Sequence, residues 1–212
     1  MPPRRWRRLS ERELHERVAE VDPHDSQVTG VVGYFYRMGQ REVLSRVQGY
    51  RGGEVLEIGC GDGMMFNDSG IHPVQMDVSM TRLRRARARA KRLLCADAYD
   101  LPFSDGSFQV VLLIAVLEHT REPWRILAEA HRVLRPGGRV IIVVPNDLTM
   151  SLGRVLLLKF PPRYPDHVTF FTPGRTRKWL AGRFELDEAF PLPFRSLGFL
   201  LNLYYFVVAR KC

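Results

Sequence analysis

Three carboxylates lie in or just after short apolar runs of the sequence, at positions where a polar ligand can be held. Glu57 lies in the run VLEIG, Asp77 ends the run VQMD twenty residues later, and Asp97 follows LLCA. An acid placed like Glu57 can accept a hydrogen bond from an ammonium group, and Asp77 can accept two from ribose hydroxyls. Asp97 is placed to accept one from an adenine amino group. We therefore predict a site for a nucleoside-like ligand that also carries an ammonium group.

The loop after Glu57 has glycine at every second position, namely Gly59, Gly61 and Gly63. Glycine has no Cβ, so this backbone can turn tightly and approach a ligand closely. The dinucleotide fingerprint needs a small residue where this chain has Met64, which disfavours NAD and FAD as ligands. A short helix of one or two turns is expected next, within GDGMMFNDSGIHP, and its amides can bind polar ligand groups.

Alternating apolar runs and helical stretches must position these residues. The predicted strands are VLEIG, VQMD, LLCA, FQVVLLIAVL and RVIIVVP, all rich in β-branched or aliphatic residues. Helices are predicted at SMTRLRRARARAKR and EPWRILAEAHRVLR, which separate later pairs of strands. This alternation is typical of an α/β fold with a parallel, doubly wound sheet covered by helices on both faces. Ligands of such sheets lie beyond the carboxyl ends of the strands.

The chain is long enough for one full core, so we predict a single domain of 212 residues. Residues 1–52 are expected to form a helical N-terminal cap, and residues 53–146 a cofactor-binding core. Residues 147–173 break the alternation and are predicted to be a lid-like insertion over the sheet. Residues 174–212 are predicted to hold a closing helix and a pair of strands, RFELDEAF and LNLYYFVVARK.

The succession VLEIGCGDG, VQMDVS, CADAYDLPFSDGSF, VLEH and RVLRPGGRVIIVVPN resembles the motif order of class I S-adenosylmethionine-dependent methyltransferases. Within that class the chain is most similar to the small-molecule branch that includes the ubiquinone-pathway O-methyltransferases. The resemblance implies a Rossmann-like sheet of seven strands with the last strand antiparallel. It also implies a methyltransferase that uses S-adenosylmethionine as its cofactor.

The same motifs imply which residues hold the cofactor. Glu57 and the loop glycines would hold the amino acid end, Asp77 the ribose, and Asp97 with Ala98 the adenine. The implied cofactor-binding residues are Glu57, Gly59, Gly61, Gly63, Asp77, Val78, Asp97 and Ala98. Aromatic residues stabilise a sulfonium by cation–π contact, and the run Tyr34 to Tyr36 can either supply such a contact or pack in the core.

Candidate catalytic residues are Glu118, His119 and His167. Methyl transfer from a sulfonium is an in-line displacement, so the site mainly positions the reactants and excludes water. An acceptor that must lose a proton also needs a base. His119 is the first choice because imidazole titrates near neutrality, while Glu118 can organise its loop and His167 can support the lid. Tyr164 and Asp166 are further polar groups of the insertion.

A metal site is a second interpretation of the same residues. The pattern resembles a subset of the family that binds a divalent cation through Glu-x-x-Glu-His and a downstream histidine. Glu118, His119 and His167 can form a facial set of ligands, but Ala115 stands at the first position of the motif. We therefore predict that the chain has no metal site.

The formal net charge of +9 comes largely from two arginine-rich clusters, one at residues 4–8 and one at residues 82–92. Such clusters fit either a solvated helix face or a surface for nucleic acid or anionic lipid. The Asn/Asp-Pro-Pro-Tyr/Phe signature of many base methylases is absent from the sequence. We therefore expect a small-molecule acceptor. RNA methylation is the alternative, and a non-catalytic partner of another subunit is a third hypothesis.

The remaining features concern the cellular environment. Three widely spaced cysteines and an N-terminus without an apolar stretch predict reduced thiols in a cytoplasmic protein. The apolar segment from Leu152 to Phe160 is flanked by Arg154 and Lys159. It fits either a helix packed on the sheet or a peripheral membrane contact that admits a hydrophobic or prenylated acceptor.

Overall fold

The computed structural model of the protein describes residues 10–21, 30–156, 158, 166–196, 198–199 and 202–212. Its strands are β1 (Val55–Ile58), β2 (Val74–Asp77), β3 (Leu93–Cys95), β4 (Phe108–Ile114), β5 (Leu134–Pro145), β6 (Phe184–Leu192) and β7 (Tyr204–Lys211). They form one sheet in the order β3-β2-β1-β4-β5-β7-β6. β1 to β5 are parallel, whereas β7 is antiparallel to both β5 and β6. The predicted sheet with its antiparallel last strand is confirmed.

Helices flank this sheet. In the described residues they are α1 (Glu11–Val21), α2 (Gly30–Val47), α3 (Met80–Ala86), α4 (Pro123–Val133), α5 (Asp147–Leu156) and α6 (Pro173–Leu180). Capping residues define the start of two helices. The Ser79 hydroxyl accepts a hydrogen bond from the Arg82 amide at α3, and Pro123 is the first residue of α4, where no amide donor is needed. None of the described helices combines the length and the apolar character needed to cross a lipid bilayer.

The core has two parts, one on each face of the sheet. On one face, β4 and β5 pack against α4 and α6 through Ile126, Leu127 and Leu180. On the other face, Val43 and Val47 of α2 pack on the remaining strand residues. Each such aliphatic side chain contributes about 1.5–3 kcal/mol when fully buried. Because both faces of these strands are buried, their sequences are continuous apolar runs rather than alternating apolar and polar residues.

Two predicted helices differ from the structure. The short helix expected after the glycine loop is absent from residues 61–73, which form successive turns. Turn-forming Asn67 to Gly70 explain this, since Asp68 adopts a positive φ and the Ser69 hydroxyl donates to the Phe66 carbonyl. Helix α3 ends at Ala86, whereas the sequence predicted a helix to residue 92. Arginines three and four positions apart repel one another there and disfavour further turns.

Candidate cofactor and acceptor site

The carboxyl ends of β1, β2 and β4 open into one cavity of about 950 Å³. Ten of the eleven predicted cofactor and catalytic residues line this cavity. The lining includes Glu57, Gly59, Gly61, Asp77, Val78, Asp97, Ala98, Glu118, His119 and His167. Gly63 is the exception: a Cβ there would meet the Ala86 Cβ at 3.1 Å, so this glycine allows the loop to pack on α3.

The glycine loop is held in a conformation that favours glycine. Gly59 and Gly61 have φ values of +71° and +54°. A Cβ on Gly59 would lie 2.5 Å from a Val116 methyl carbon, so only glycine fits beside the end of β4. The loop therefore brings bare backbone to the floor of the cavity, as the spacing of the glycines predicted.

Asp77 is almost buried and fixes the loop against the end of β2. Its Oδ2 accepts from the Gly61 amide at 2.9 Å, and its Oδ1 accepts from the Ser79 amide at 2.9 Å. A carboxylate offers about four lone-pair positions, so each oxygen retains the capacity to accept from a ligand hydroxyl. Asp77 thus combines a structural role, which the sequence did not indicate, with the predicted position at the cavity.

Glu57 is buried beneath the same loop. One of its oxygens accepts from the Gln75 side-chain amide at 2.7 Å. Burial raises the pKa of Glu57 to about 8, with a further contribution from nearby Asp77. An ammonium group bound beside Glu57 would favour the ionised carboxylate, so the site is suited to a cationic amino group. At the other end of the cavity Asp97 is exposed, and its Oδ1 accepts from the Tyr99 amide.

Asp62 anchors the glycine loop to the basic helix α3. Its carboxylate is almost fully buried and lies 3.8 Å from guanidinium nitrogens of both Arg82 and Arg85. Arg89 donates to the Asp62 carbonyl at 3.4 Å. Part of the arginine cluster therefore supports the cofactor loop, a role that the sequence analysis missed. Arg82 and Arg85 share one face of the helix, but no pattern in the sequence pairs that face with Asp62.

A second part of the cavity wall is built on a short 3-10 helix (Leu117–His119) that follows β4. Glu118 is buried there, and its Oε2 has no hydrogen-bond partner among the described residues. Burial raises the pKa of Glu118 to about 8. The Glu118 carbonyl accepts from the amides of Val168 and Thr169, which ties the insertion to the end of β4.

Two histidines stand beside Glu118 with opposite electrostatic surroundings. His119 Nδ1 lies 3.2 Å from the Asp166 carbonyl and 3.3 Å from its carboxylate, while burial lowers the pKa of His119 to about 4. His167 Nδ1 lies 2.5 Å from Asp147 Oδ1. Burial opposes the charge on His167, but the carboxylates of Asp147 and Glu118 raise its pKa. The rings of His119 and His167 meet edge to face at 5.0 Å.

Glu118, His119 and His167 also have the donor set of a metal centre. One ligating atom of each lies within 4.8 Å of the others. Nδ1 of the two imidazoles faces Asp166 and Asp147, and metal-binding histidines commonly have such a partner on the ring nitrogen that does not bind the metal. The geometry therefore could hold a divalent cation. The expectation of no metal, based on Ala115, stays a prediction.

Several cavity residues come from segments that the sequence placed only in a cap or lid. His15 of α1 lines the cavity, and its ring lies 6.1 Å from that of His119. Phe35 and Tyr36 of α2 also line it, whereas Tyr34 is 57% exposed. From α5, Thr149, Met150, Gly153 and Arg154 line the cavity. Tyr164 lies outside the described residues.

Comparison with known proteins agrees with these features. A family model described as a methyltransferase domain matches residues 56–142. The chain is 32% identical over 129 residues to the demethylmenaquinone methyltransferase of Renibacterium salmoninarum, covering 58% of this chain and 54% of that protein. It is 34% identical over 122 residues to the 27-O-demethylrifamycin SV methyltransferase of Amycolatopsis mediterranei, covering 52% and 41%. The chain spans about half the length of the curated relatives it matches.

A solved structure gives the same result for the fold. An S-adenosylmethionine-dependent methyltransferase from Thermotoga maritima superposes with a TM-score of 0.72 at 20% identity, covering 96% of this chain and 100% of that one. The strand order, the motifs at the strand ends and the family match are mutually consistent. Residues 56–142 therefore form a methyltransferase domain of the class I, S-adenosylmethionine-dependent type.

Proposed function

We propose that this protein transfers a methyl group from S-adenosylmethionine to a small acceptor. The observation that carries the proposal is the single cavity that joins the edge containing Glu57, Asp77 and Asp97 to the group of Glu118, His119 and His167. Its volume, about 950 Å³, is at the upper end for ligand pockets, about 300–1,000 Å³. The cavity thus has room for a cofactor and an acceptor side by side.

The chain supplies groups that would bind the cofactor, orient the acceptor and remove its proton. Glu57, Asp77 and Asp97 are proposed to hold the amino, ribose and adenine ends of the cofactor, with Gly59, Gly61, Gly63, Val78 and Ala98 beside them. S-adenosylmethionine supplies the electrophilic methyl carbon when bound. Its sulfur would be a neutral thioether leaving group, so the cavity residues would need only to hold the acceptor beside that carbon and to exclude water.

His119 is proposed to take the proton that the acceptor loses. A neutral His119 that donates from Nδ1 to the Asp166 carbonyl keeps a lone pair on Nε2. The lowered pKa keeps the ring neutral at pH 7, so the lone pair is available. His167 is proposed to position His119 and the insertion, and Glu118 to organise the turn between them.

The wall near His119 supports an apolar acceptor. It contains the side chains of Ile114, Val143, Pro145, Met150 and Leu203. A highly charged acceptor would lose its hydration at this wall, and the wall side chains cannot replace those hydrogen bonds. A hydrophobic small molecule therefore fits this wall better than a phosphate backbone does.

Nucleic-acid methylation is the second candidate. Its support is the arginine-rich cluster at residues 82–92, and only part of that cluster is exposed. Arg82, Arg85 and Arg89 face Asp62, which leaves Arg84, Arg87, Lys91 and Arg92 as the exposed part of the cluster. Filter binding to RNA over a salt series distinguishes the two candidates, because phosphate contacts give a steep salt dependence. Strong salt-dependent binding and labelling of RNA would favour this alternative.

The proposed function is tested with methyl-labelled S-adenosylmethionine and fractionated cell extract. We expect label in a small-molecule fraction rather than in RNA or protein. His119→Gln should reduce labelling by about 10²–10⁴-fold if the acceptor must lose a proton. His72→Gln, which changes a histidine outside the cavity lining, is the matched control and should keep full labelling. Label confined to RNA, or equal labelling by both variants, would contradict the proposal or the role of His119.

A further inference from the structure

The outer face of α5 presents a row of exposed aliphatic side chains. Leu148, Leu152, Val155 and Leu156 are 52%, 59%, 42% and 74% exposed, and the nearby Leu158 is 81% exposed. Their spacing of four, three and one residues places those of α5 on one side of the helix. Single exposed leucines are ordinary, but a contiguous row indicates a surface that meets an apolar environment. We call these five residues the α5 stripe.

The opposite side of α5 is part of the candidate active site. Thr149, Met150, Gly153 and Arg154 line the cavity from this helix. Asp147 at its first turn is buried and bonded to His167. One helix therefore separates the acceptor end of the cavity from the surface that carries the stripe. Whatever contacts the α5 stripe is therefore separated from the cavity by the width of this helix.

We propose that the α5 stripe docks on an anionic lipid surface, from which the enzyme takes a membrane-dissolved acceptor. The part about the acceptor rests on the proposed function, whereas the docking itself does not. The stripe contains leucine and valine only, while protein interfaces are enriched in aromatic residues, methionine and arginine. Aliphatic side chains on a short helix suit the boundary between headgroups and acyl chains, where no specific shape is required.

Charge favours an anionic surface over a neutral one. Asp147 is the one acidic residue of α5, and since it is buried against His167 the helix presents no exposed carboxylate to the headgroups. The whole chain carries a formal net charge of +9 at pH 7, which attracts it to anionic lipid and is screened by salt. Such docking places the acceptor's polar end toward His119 while its apolar part stays in the lipid.

The test is sedimentation of the full chain with vesicles of phosphatidylcholine, with and without phosphatidylglycerol. We expect binding to the anionic vesicles that weakens as salt rises. The double variant Leu152→Ser/Leu156→Ser should lose at least tenfold in vesicle partitioning. The control Met80→Ser/Leu186→Ser removes two exposed apolar side chains outside α5 and should bind vesicles like the unaltered protein.

Two outcomes overturn the docking proposal. The first is failure of the unaltered protein to sediment with anionic vesicles, or equal sedimentation of the two double variants. The second is concentration-dependent dimerisation in light scattering that the stripe variant abolishes, which would assign the stripe to a protein interface. Calorimetry with S-adenosylhomocysteine separates this proposal from the proposed function. We expect the stripe variant to bind S-adenosylhomocysteine with unchanged affinity. If the unaltered protein does not bind it, the proposed function is contradicted but the docking proposal is not.

Discussion

Glu57 and Asp77 lie near the carboxyl ends of neighbouring strands, and they differ in the groups that donate hydrogen bonds to them. Asp77 receives two backbone amides, which are structural partners that remain with or without a ligand. Glu57 receives one side-chain amide and is otherwise buried, so its pKa rises to about 8. A carboxyl group therefore serves as a fixed anchor at Asp77 and as a group that changes charge with its ligand at Glu57.

Cofactor binding is expected to release a proton through Glu57. At pH 7 a carboxyl with a pKa of about 8 is mostly protonated, and a bound ammonium group lowers that pKa. Calorimetry with S-adenosylhomocysteine in buffers of different ionisation enthalpy measures the release. Glu57→Gln should abolish it and weaken binding by about 1.5–3 kcal/mol, the scale of a hydrogen bond to a charged group. Glu118→Gln is the control and should retain the release.

Divalent cations are expected to leave the protein's melting temperature unchanged at pH 7. The three candidate ligands lie close enough for coordination, but a Glu118 carboxyl with a pKa of about 8 must first lose its proton. Thermal unfolding with added Mn²⁺ or Zn²⁺ measures the effect. A stabilisation that appears with the metal, grows with pH and disappears in Glu118→Gln would show instead that the group is a metal centre.

At the scale of elements, sequence patterning was sufficient for the sheet and insufficient for its connections. The strands were predictable because β-branched runs are the signature of strands buried on both faces. The turns after the glycine loop were missed, since Asn67 to Gly70 determine that connection locally, and so was the early end of α3 among closely spaced arginines. The pairing of Asp62 with Arg82 and Arg85 depends on how α3 packs under the loop, which no pattern within either segment specifies.

The contact between the glycine loop and α3 is expected to contribute to both stability and cofactor affinity. Asp62→Asn leaves Arg82 and Arg85 without their carboxylate at a largely buried position. Breaking fully buried pairs costs about 3–5 kcal/mol, and the partial exposure of Arg85 reduces this to about 1–2 kcal/mol. Denaturant unfolding and calorimetry measure the two losses. The control is Asp105→Asn, an exposed partner of Arg132, where a loss below about 1 kcal/mol is expected.

At the scale of the whole molecule, the cavity is assembled from distant parts of the chain. The sheet supplies the residues that the sequence identified, because their positions follow from strand ends alone. His15, Tyr36 and Gln40 come from α1 and α2, and the outer wall comes from α5. Helical periodicity predicted these helices but not where they pack. The sequence therefore predicted the cavity residues at the strand ends in detail and those contributed by the helices only in part.

Binding of the cofactor product in this cavity is expected to stabilise the folded protein, whereas NAD is expected not to bind. S-adenosylhomocysteine at a hundred times its Kd adds about 2.7 kcal/mol to the folded state. At about 2–4 °C per kcal/mol for a chain of this size, the melting temperature should rise by about 5–11 °C. NAD should give no rise, because Met64 lines the cavity and residues 61–73 offer no helix N-terminus for a pyrophosphate.

Gly59→Ala should remove the rise caused by S-adenosylhomocysteine, since its Cβ would lie 2.5 Å from a Val116 methyl carbon. Gly174→Ala, where a Cβ meets nothing within 4 Å, should keep it. Stabilisation by NAD, or an undiminished response in Gly59→Ala, would mean that the loop does not form the floor of the cofactor site.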